Sequence, residues 1–254
     1  MNAAVMIESE PPQTAFALRV GALAAGISAM LAVVIGGWLL LQSGSERRID
    51  SIQIEAPLRQ VDAGTIRATL RPTLQAGLLE VDLDAARASL ERLPWVARAR
   101  ADRVWPASVR VRIWERTPYA RWGAGRLLDT EARSFTPGGA LPDGLPLLDG
   151  APGHEQEVKD AYGRLEALLQ ASPFALEGLA LDARGEWTGR TRQGAELHFG
   201  RGAPDQRTSL LLGPAARALA GRIEQIQYID LRYTNGFAVG WRAPQTNGGG
   251  EHRG

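Results

Sequence analysis

Polar and apolar positions divide the chain into blocks of different period. From Val20 to Leu41 there is no alternation at all: "VGALAAGISAMLAVVIGGWLLL" is apolar and carries no charge. At about 1.5 Å per residue such a helix is about 33 Å long, which matches the hydrocarbon core of a bilayer. Residues 19–42 are therefore expected to be a single transmembrane helix, with Trp38 near one interface. It is too long for the apolar part of a signal peptide, and no A-x-A cleavage pattern follows it. Residues 1–18 form a short arm ahead of it. The flanking charges, Arg19 with Glu8 and Glu10 before and Arg47 and Arg48 with Glu46 after, do not choose an orientation. The short arm and the long remainder favour the arm inside and the bulk outside.

Beyond the span the period changes. Ile52 and Ile54 alternate with polar residues, as in a strand. Asp62 can cap a helix carrying Ile66 and Leu70, ended by Pro72. Asp82 can cap a second helix with Ala86, Leu90 and Leu93 on one face, stopped by Pro94. Two runs of period two follow. Ala97, Ala99 and Ala101 alternate with Arg98, Arg100 and Asp102, and Val109, Val111 and Ile113 alternate with Arg110, Arg112 and Trp114. Trp105-Pro106-Ala107-Ser108 separates them, so the pair reads as a β-hairpin with one small-apolar face and one basic face. The order is βααββ. Three strands covered by two helices make a complete α+β core, with Val109, Val111 and Ile113 against Ile66, Leu70, Ala86 and Leu90.

The remainder is strand-rich with two helices. Arg126–Phe135 reads as a strand pair or a bent strand, and Gly138-Gly139 and the prolines through Pro152 as loop. Glu155–Leu169 reads as a helix, with Val158, Tyr162, Leu165 and Leu169 at helical spacing. Strands are expected at Ala175–Leu181, Glu186–Arg192 and Glu196–Phe199, separated by "DARG" and "RQG" turns. Pro204–Ile223 reads as helical, broken near Gly213-Pro214. Ile226–Tyr233 and Phe237–Trp241 read as a final hairpin about Asn235-Gly236. Pro244 and "TNGGGEHRG" have nothing to pack, so residues 243–254 are expected to be a disordered tail.

Composition changes this picture in two ways. Lys+Arg is 29 against 28 Asp+Glu, so the whole chain lacks the basic excess usual in nucleic-acid binders. The basic face of the hairpin is then a solvated sheet face, or a surface for nucleic acid, anionic lipid or an acidic protein. Bulk outside the cytoplasm would remove nucleic acid from that choice. There is no cysteine, which excludes disulfides, thiolate metal sites and cysteine nucleophiles. His154, His198 and His252 are scattered, and no metalloprotease or nucleophile-elbow pattern appears. Asp129 and Asp230 read as turn or sheet-surface hydrogen-bonding groups. Glu115, Arg116 and Arg121 read as an ion-pair cluster. No cofactor or metal is expected.

The run "LPWVARARADRVWPASVRVRIWERTPYARW", with "LLDTEARSF", "LPLLDG" and "YIDLRYTNGFAVGW", resembles the FtsQ/DivIB family of bacterial cell-division proteins. Its βααββ part resembles a POTRA domain. Ala132 departs from the pattern, because the family often has glycine in that turn. The resemblance implies an arm at 1–18, a span at 19–42, a POTRA domain at 49–117, an FtsQ-type β domain at 118–242 and a tail at 243–254. It implies a non-enzymatic scaffold of the inner membrane at the division septum, with its bulk in the periplasm, linking early and late division proteins to septal peptidoglycan synthesis. The implied partners are FtsB and FtsL on the β domain and other divisome membrane proteins on the POTRA domain. Alternatives are an anchored periplasmic hydrolase or a POTRA chaperone for outer-membrane insertion.

Phe237–Trp241 is expected to be an unblunted sheet edge, fit for β-strand addition by a partner. The resemblance places FtsB there. The site residues it implies are Tyr233, Asn235, Gly236, Phe237, Val239 and Trp241, with Arg184 of the "DARGEW" turn as a charge-assisted contact.

Overall fold

The structure is a computed structural model that describes residues 26–39, 49–75 and 77–243. Residues 26–39 are helical (α1) and exposed almost throughout. The rest of the expected span, the arm at 1–18 and residues 244–254 of the tail lie outside the described residues. Among those described, no helix is long and apolar enough to cross a membrane. The chain separates into two compact units between Trp114 and Glu115.

The first unit holds β1 (Ser51–Glu55), α2 (Ala63–Leu70), α3 (Leu83–Glu91), β2 (Val96–Val104) and β3 (Ser108–Glu115), whose last residue is the first past the boundary. Both helix starts follow from their caps. The Asp62 carboxylate accepts from the Gly64 and Thr65 amides, and Asp82 accepts from Ala85, satisfying donors that a first turn leaves free. The sheet order is β1-β3-β2, and β1 runs parallel to β3 with Ile52 opposite Val109 and Ile54 opposite Val111. Ile66, Leu70, Ala86 and Leu90 pack with Val96, Ala99, Val109, Val111 and Ile113 in one buried cluster. Each large aliphatic buried there contributes about 1.5–3 kcal/mol.

In β2 the alternation slips. Val96 and Ala99, three apart, are both buried, whereas Ala97 and Ala101 are only half-buried. The alanine face is therefore not the regular one expected. Arg103 explains part of β2's role, because its guanidinium donates to the carbonyls of Leu78 and Val81 at 2.9 and 2.7 Å. It fastens the loop that precedes α3. On the open face Glu55 faces both Arg110 and Arg112, at 3.0 and 2.6 Å. Arg100 pairs with Asp102, and Arg98 lies 4.5 Å over the Trp114 ring. Neighbouring side chains thus take up much of this basic face.

The second unit holds β4 (Pro118–Trp122), β5 (Arg126–Asp129), β6 (Ser134–Phe135), β7 (Leu147–Gly150), α4 (Glu155–Leu169), β8 (Leu176–Leu181), β9 (Glu186–Thr191), β10 (Glu196–Arg201), β11 (Ile226–Asp230) and β12 (Ala238–Trp241). A helical stretch over residues 208–218 (α5) contains a π-helical turn, Leu211–Ala215, at Pro214. Proline has no N–H to give the ladder, and the wider turn absorbs the loss.

One nine-stranded sheet runs β12-β11-β10-β9-β8-β7-β4-β5-β6. β4, β7 and β8 are parallel, as are β10 and β11; the other pairs are antiparallel. β7 lies inside the stretch expected to be loop. Its Leu148 is fully buried, between Trp122 and Leu179 in the ladder. The prolines and glycines around it define its ends and do not interrupt it. Val158, Tyr162, Leu165 and Leu169 of α4 pack in the core with Leu148, Leu179, Leu197 and Ile229. Arg116 and Arg121 go to different carboxylates, Asp129 at 2.7 Å and Asp143 at 3.1 Å.

A candidate partner-binding edge at β12

Cross-strand pairing orders the side chains of the second unit into rows. One row reads Leu148, Leu179, Gly189, Leu197, Ile229, Val239. All but its last member are buried, and Val239 is half-buried against the core. The adjacent row reads Leu147, Gly178, Arg190, Glu196, Tyr228, Gly240. Both end at β12, which pairs with β11 alone among the described residues. The free side of β12 therefore offers unsatisfied backbone groups beside an apolar row that stops short.

Gly240 has a packing reason. A Cβ built there would sit 2.1 Å from Cε1 of Tyr228. The tyrosine ring lies across the glycine and reaches the last strand. His198 meets that ring edge-on at 5.7 Å. At the next residue of β12, the Arg222 guanidinium stacks 4.0 Å over the half-exposed Trp241.

The final connection is not the expected two-residue hairpin. β11 ends at Asp230, paired with Ala238, so residues 231–237 form the link. Neither Asn235 nor Gly236 has a positive φ, and a type I′ turn needs that at both central residues. The chain is drawn off elsewhere. The Leu231 amide donates to the His198 carbonyl at 2.8 Å. Arg232 folds back on Asp230 through a 2.7 Å ion pair, and its guanidinium holds the Asp230 carboxyl below the usual carboxylate range. The Arg232 stem lies over Gly200, where a Cβ would meet its Cγ at 2.9 Å. Arg207, from the 3-10 turn Pro204–Arg207, donates to the carbonyls of Leu231 and Tyr233 at 3.2 and 3.0 Å. These contacts hold the first part of the link, Leu231–Tyr233, and the Tyr233 side chain projects from it with 57% exposure.

Arg184 lies in the β8–β9 turn, where Asp182 accepts from the Arg184 and Glu186 amides. Glu186 pairs with Arg201 at the end of β10, and His198 of β10 pairs with Asp230 of β11. Arg184 and Tyr233 thus lie at the same end of the sheet. β9 and β11 are two strand spacings apart, about 10 Å. Phe237, Val239 and Trp241 follow along the edge, and Asn235 and Gly236 lie in the link. Sequence reasoning missed Tyr228, Gly240 and Arg207. A lone glycine in a strand pattern signals close approach, so Gly240 was legible. Arg207 stands 26 positions from Tyr233 and has no local signal.

Comparison with known proteins agrees with this architecture. Residues 47–116 match the FtsQ-type POTRA domain, and residues 120–232 match the family described as Cell division protein FtsQ/DivIB, C-terminal. A protein named Cell division protein FtsQ from Allochromatium vinosum is 34% identical over 227 residues, 88% of this chain and 90% of the relative. The chain belongs to the FtsQ/DivIB family. FtsQ of Hahella chejuensis is 32% identical over 217 residues, covering 82% of this chain and 78% of its own. FtsQ of Xanthomonas campestris pv. campestris is 34% identical over 209 residues, covering 81% and 73%. The FtsQ-type C-terminal match ends at Arg232, so Tyr233 and β12 lie just past it.

Proposed function

We propose that this FtsQ-family chain is a bitopic scaffold of the bacterial divisome that acts by association and not by catalysis. Its β domain recruits FtsB, and FtsL with it, and so links early and late division proteins to septal peptidoglycan synthesis. Its POTRA domain contacts other divisome membrane proteins. One span at residues 19–42 holds it in the inner membrane at the septum, with the arm inside and both domains in the periplasm. The uncharged run from Val20 to Leu41 supports the anchoring.

The free edge of β12 carries this reading. An incoming strand of FtsB takes up the open backbone groups, and its alternate side chains continue the row that stops at Val239. Tyr233 is the aromatic anchor, and Arg184 a charge-assisted contact to an acidic residue. Asn235, Gly236, Phe237 and Trp241 complete the contact surface.

The test compares Tyr233→Ala with the parent chain, both purified full length. The variant keeps its melting profile, since the ring is exposed, and loses at least about 2 kcal/mol of FtsB binding, close to thirtyfold in Kd. FtsB must also slow amide exchange along Ala238–Trp241. Unchanged affinity together with unprotected β12 amides would overturn the reading.

A further inference from the structure

The second free edge lies in the first unit. β1 ends its three-stranded sheet, paired with β3 on one side and with no strand on the other among the described residues. Beside the start of that strand lies a groove of about 570 Å³, lined by Ile49, Ser51 and Ile52 of the β1 region, by Arg67 and Arg71 at the end of α2, and by Leu74 of the 3-10 turn Thr73–Gln75. Its floor is apolar, because Ile49, Ile52 and Leu74 are half-buried members of the domain core.

Its rim is cationic. Arg67 and Arg71 are four apart and share one face of the helix end. Among the described residues neither makes an ion pair within 4.0 Å, whereas the arginines of the neighbouring sheet face, Arg110 and Arg112, are drawn to Glu55. Asp50 also borders the groove, so the rim holds two guanidinium groups against one carboxylate. The C-terminal dipole of α2 accounts for a cation here, but not for an open strand edge over an apolar floor beside it.

We propose that this groove takes an extended acidic peptide segment, added as a strand to β1. The backbone of the segment meets the free edge. Its inward side chains rest on Ile52 and Leu74, and its carboxylates meet Arg67 and Arg71. Ile49 stands eight positions after Leu41, the last residue of the uncharged run. Even fully extended, that link reaches only about 28 Å. Resting on the anchoring proposed above, the occupant is a juxtamembrane segment of another membrane-anchored protein. A lipid headgroup would meet the arginines but would leave the strand edge unused.

The probe is a blocked decapeptide of alternating valine and glutamate, offered to the full chain in zwitterionic nanodiscs. It binds at least tenfold more tightly than its valine–lysine counterpart and slows amide exchange at Ser51–Glu55. Arg67→Gln with Arg71→Gln removes that preference. A glutamate peptide N-methylated at alternate positions, which cannot pair with an edge, does not bind there. Protection confined to Ala238–Trp241 would locate the peptide at the other edge and overturn the proposal. Equal binding of the N-methylated peptide would do the same. So would a requirement for anionic lipid in the discs in place of the peptide. Each of these results leaves the FtsB reading of β12 untouched, because that reading is tested on Tyr233.

Discussion

Ala132 is the residue at which sequence and geometry meet most directly. The resemblance implies that a glycine is common in this turn, and the backbone gives a reason: φ at Ala132 is 57°, where a Cβ crowds the following carbonyl at roughly 1–2 kcal/mol. The turn persists because Asp129 holds it, accepting from the amides of Glu131 and Arg133 at 2.9 and 2.8 Å. Ala132→Gly removes the crowding but also a methyl group packed on the core. The expected net gain is about 0.5–1 kcal/mol, or about 2–4 °C in Tm for a unit of this size, read by thermal melting. The capping aspartates Asp62 and Asp82 were legible for the same kind of reason, because a cap is a local bond between a side chain and an amide two or three positions on. Asp230 was legible only as a hydrogen-bonding carboxylate; its partner Arg232 was not. Its lowered pKa sets a direction. The contribution of Asp230 is full near neutral pH and is lost as pH falls below about 4 and through the folded value. Near-ultraviolet circular dichroism of an acid titration should follow the loss, and Asp230→Asn should remove that step.

At the scale of elements, period was a good guide wherever one face alone is buried. β1, β3, α2, α3 and α4 each show their partner surface in their own alternation. It failed at β7, a four-residue strand in the middle of the sheet, whose flanking glycines and prolines outweigh so short an apolar pattern. It failed differently at the last hairpin. Asn-Gly is a strong local signal, but bonds from His198 and Arg207, both remote in sequence, set the path of residues 231–237. Arg207→Ala should therefore loosen this link without loosening the core. Amide exchange over residues 231–237 should rise, and FtsB affinity should fall several-fold, while the melting transition shifts by no more than about 1–1.5 kcal/mol, the net worth of such bonds. Arg207→Lys, which can reach one carbonyl, should recover part of the affinity. A full-strength complex with a fast-exchanging link would mean that Tyr233 is not positioned by Arg207.

For the whole molecule, the sequence indicated the run of elements and a family pattern, but not the order of strands in the large sheet. Parallel neighbours such as β4 and β7, or β10 and β11, are distant in sequence, and no local pattern encodes which distant strand will be chosen. The membrane anchor rests on composition. Protease added to spheroplasts should digest both domains and spare only a small N-terminal fragment; a protected bulk would reverse the proposed orientation.

The parallel pairing of β10 with β11 has a consequence in time. Among the described residues, the β11–β12 pair joins the sheet only through that pairing, and residues 202–225 must cross over before it can form. Contacts between distant parts of a chain close late, because the loop entropy is lost before the contact repays it. The first unit, built from neighbouring elements, can finish early. The β12 edge then takes shape only once that crossover has closed, and a chain that has not closed it has no β12 strand to offer a partner. Recruitment through the proposed edge would therefore select for chains whose second unit is complete.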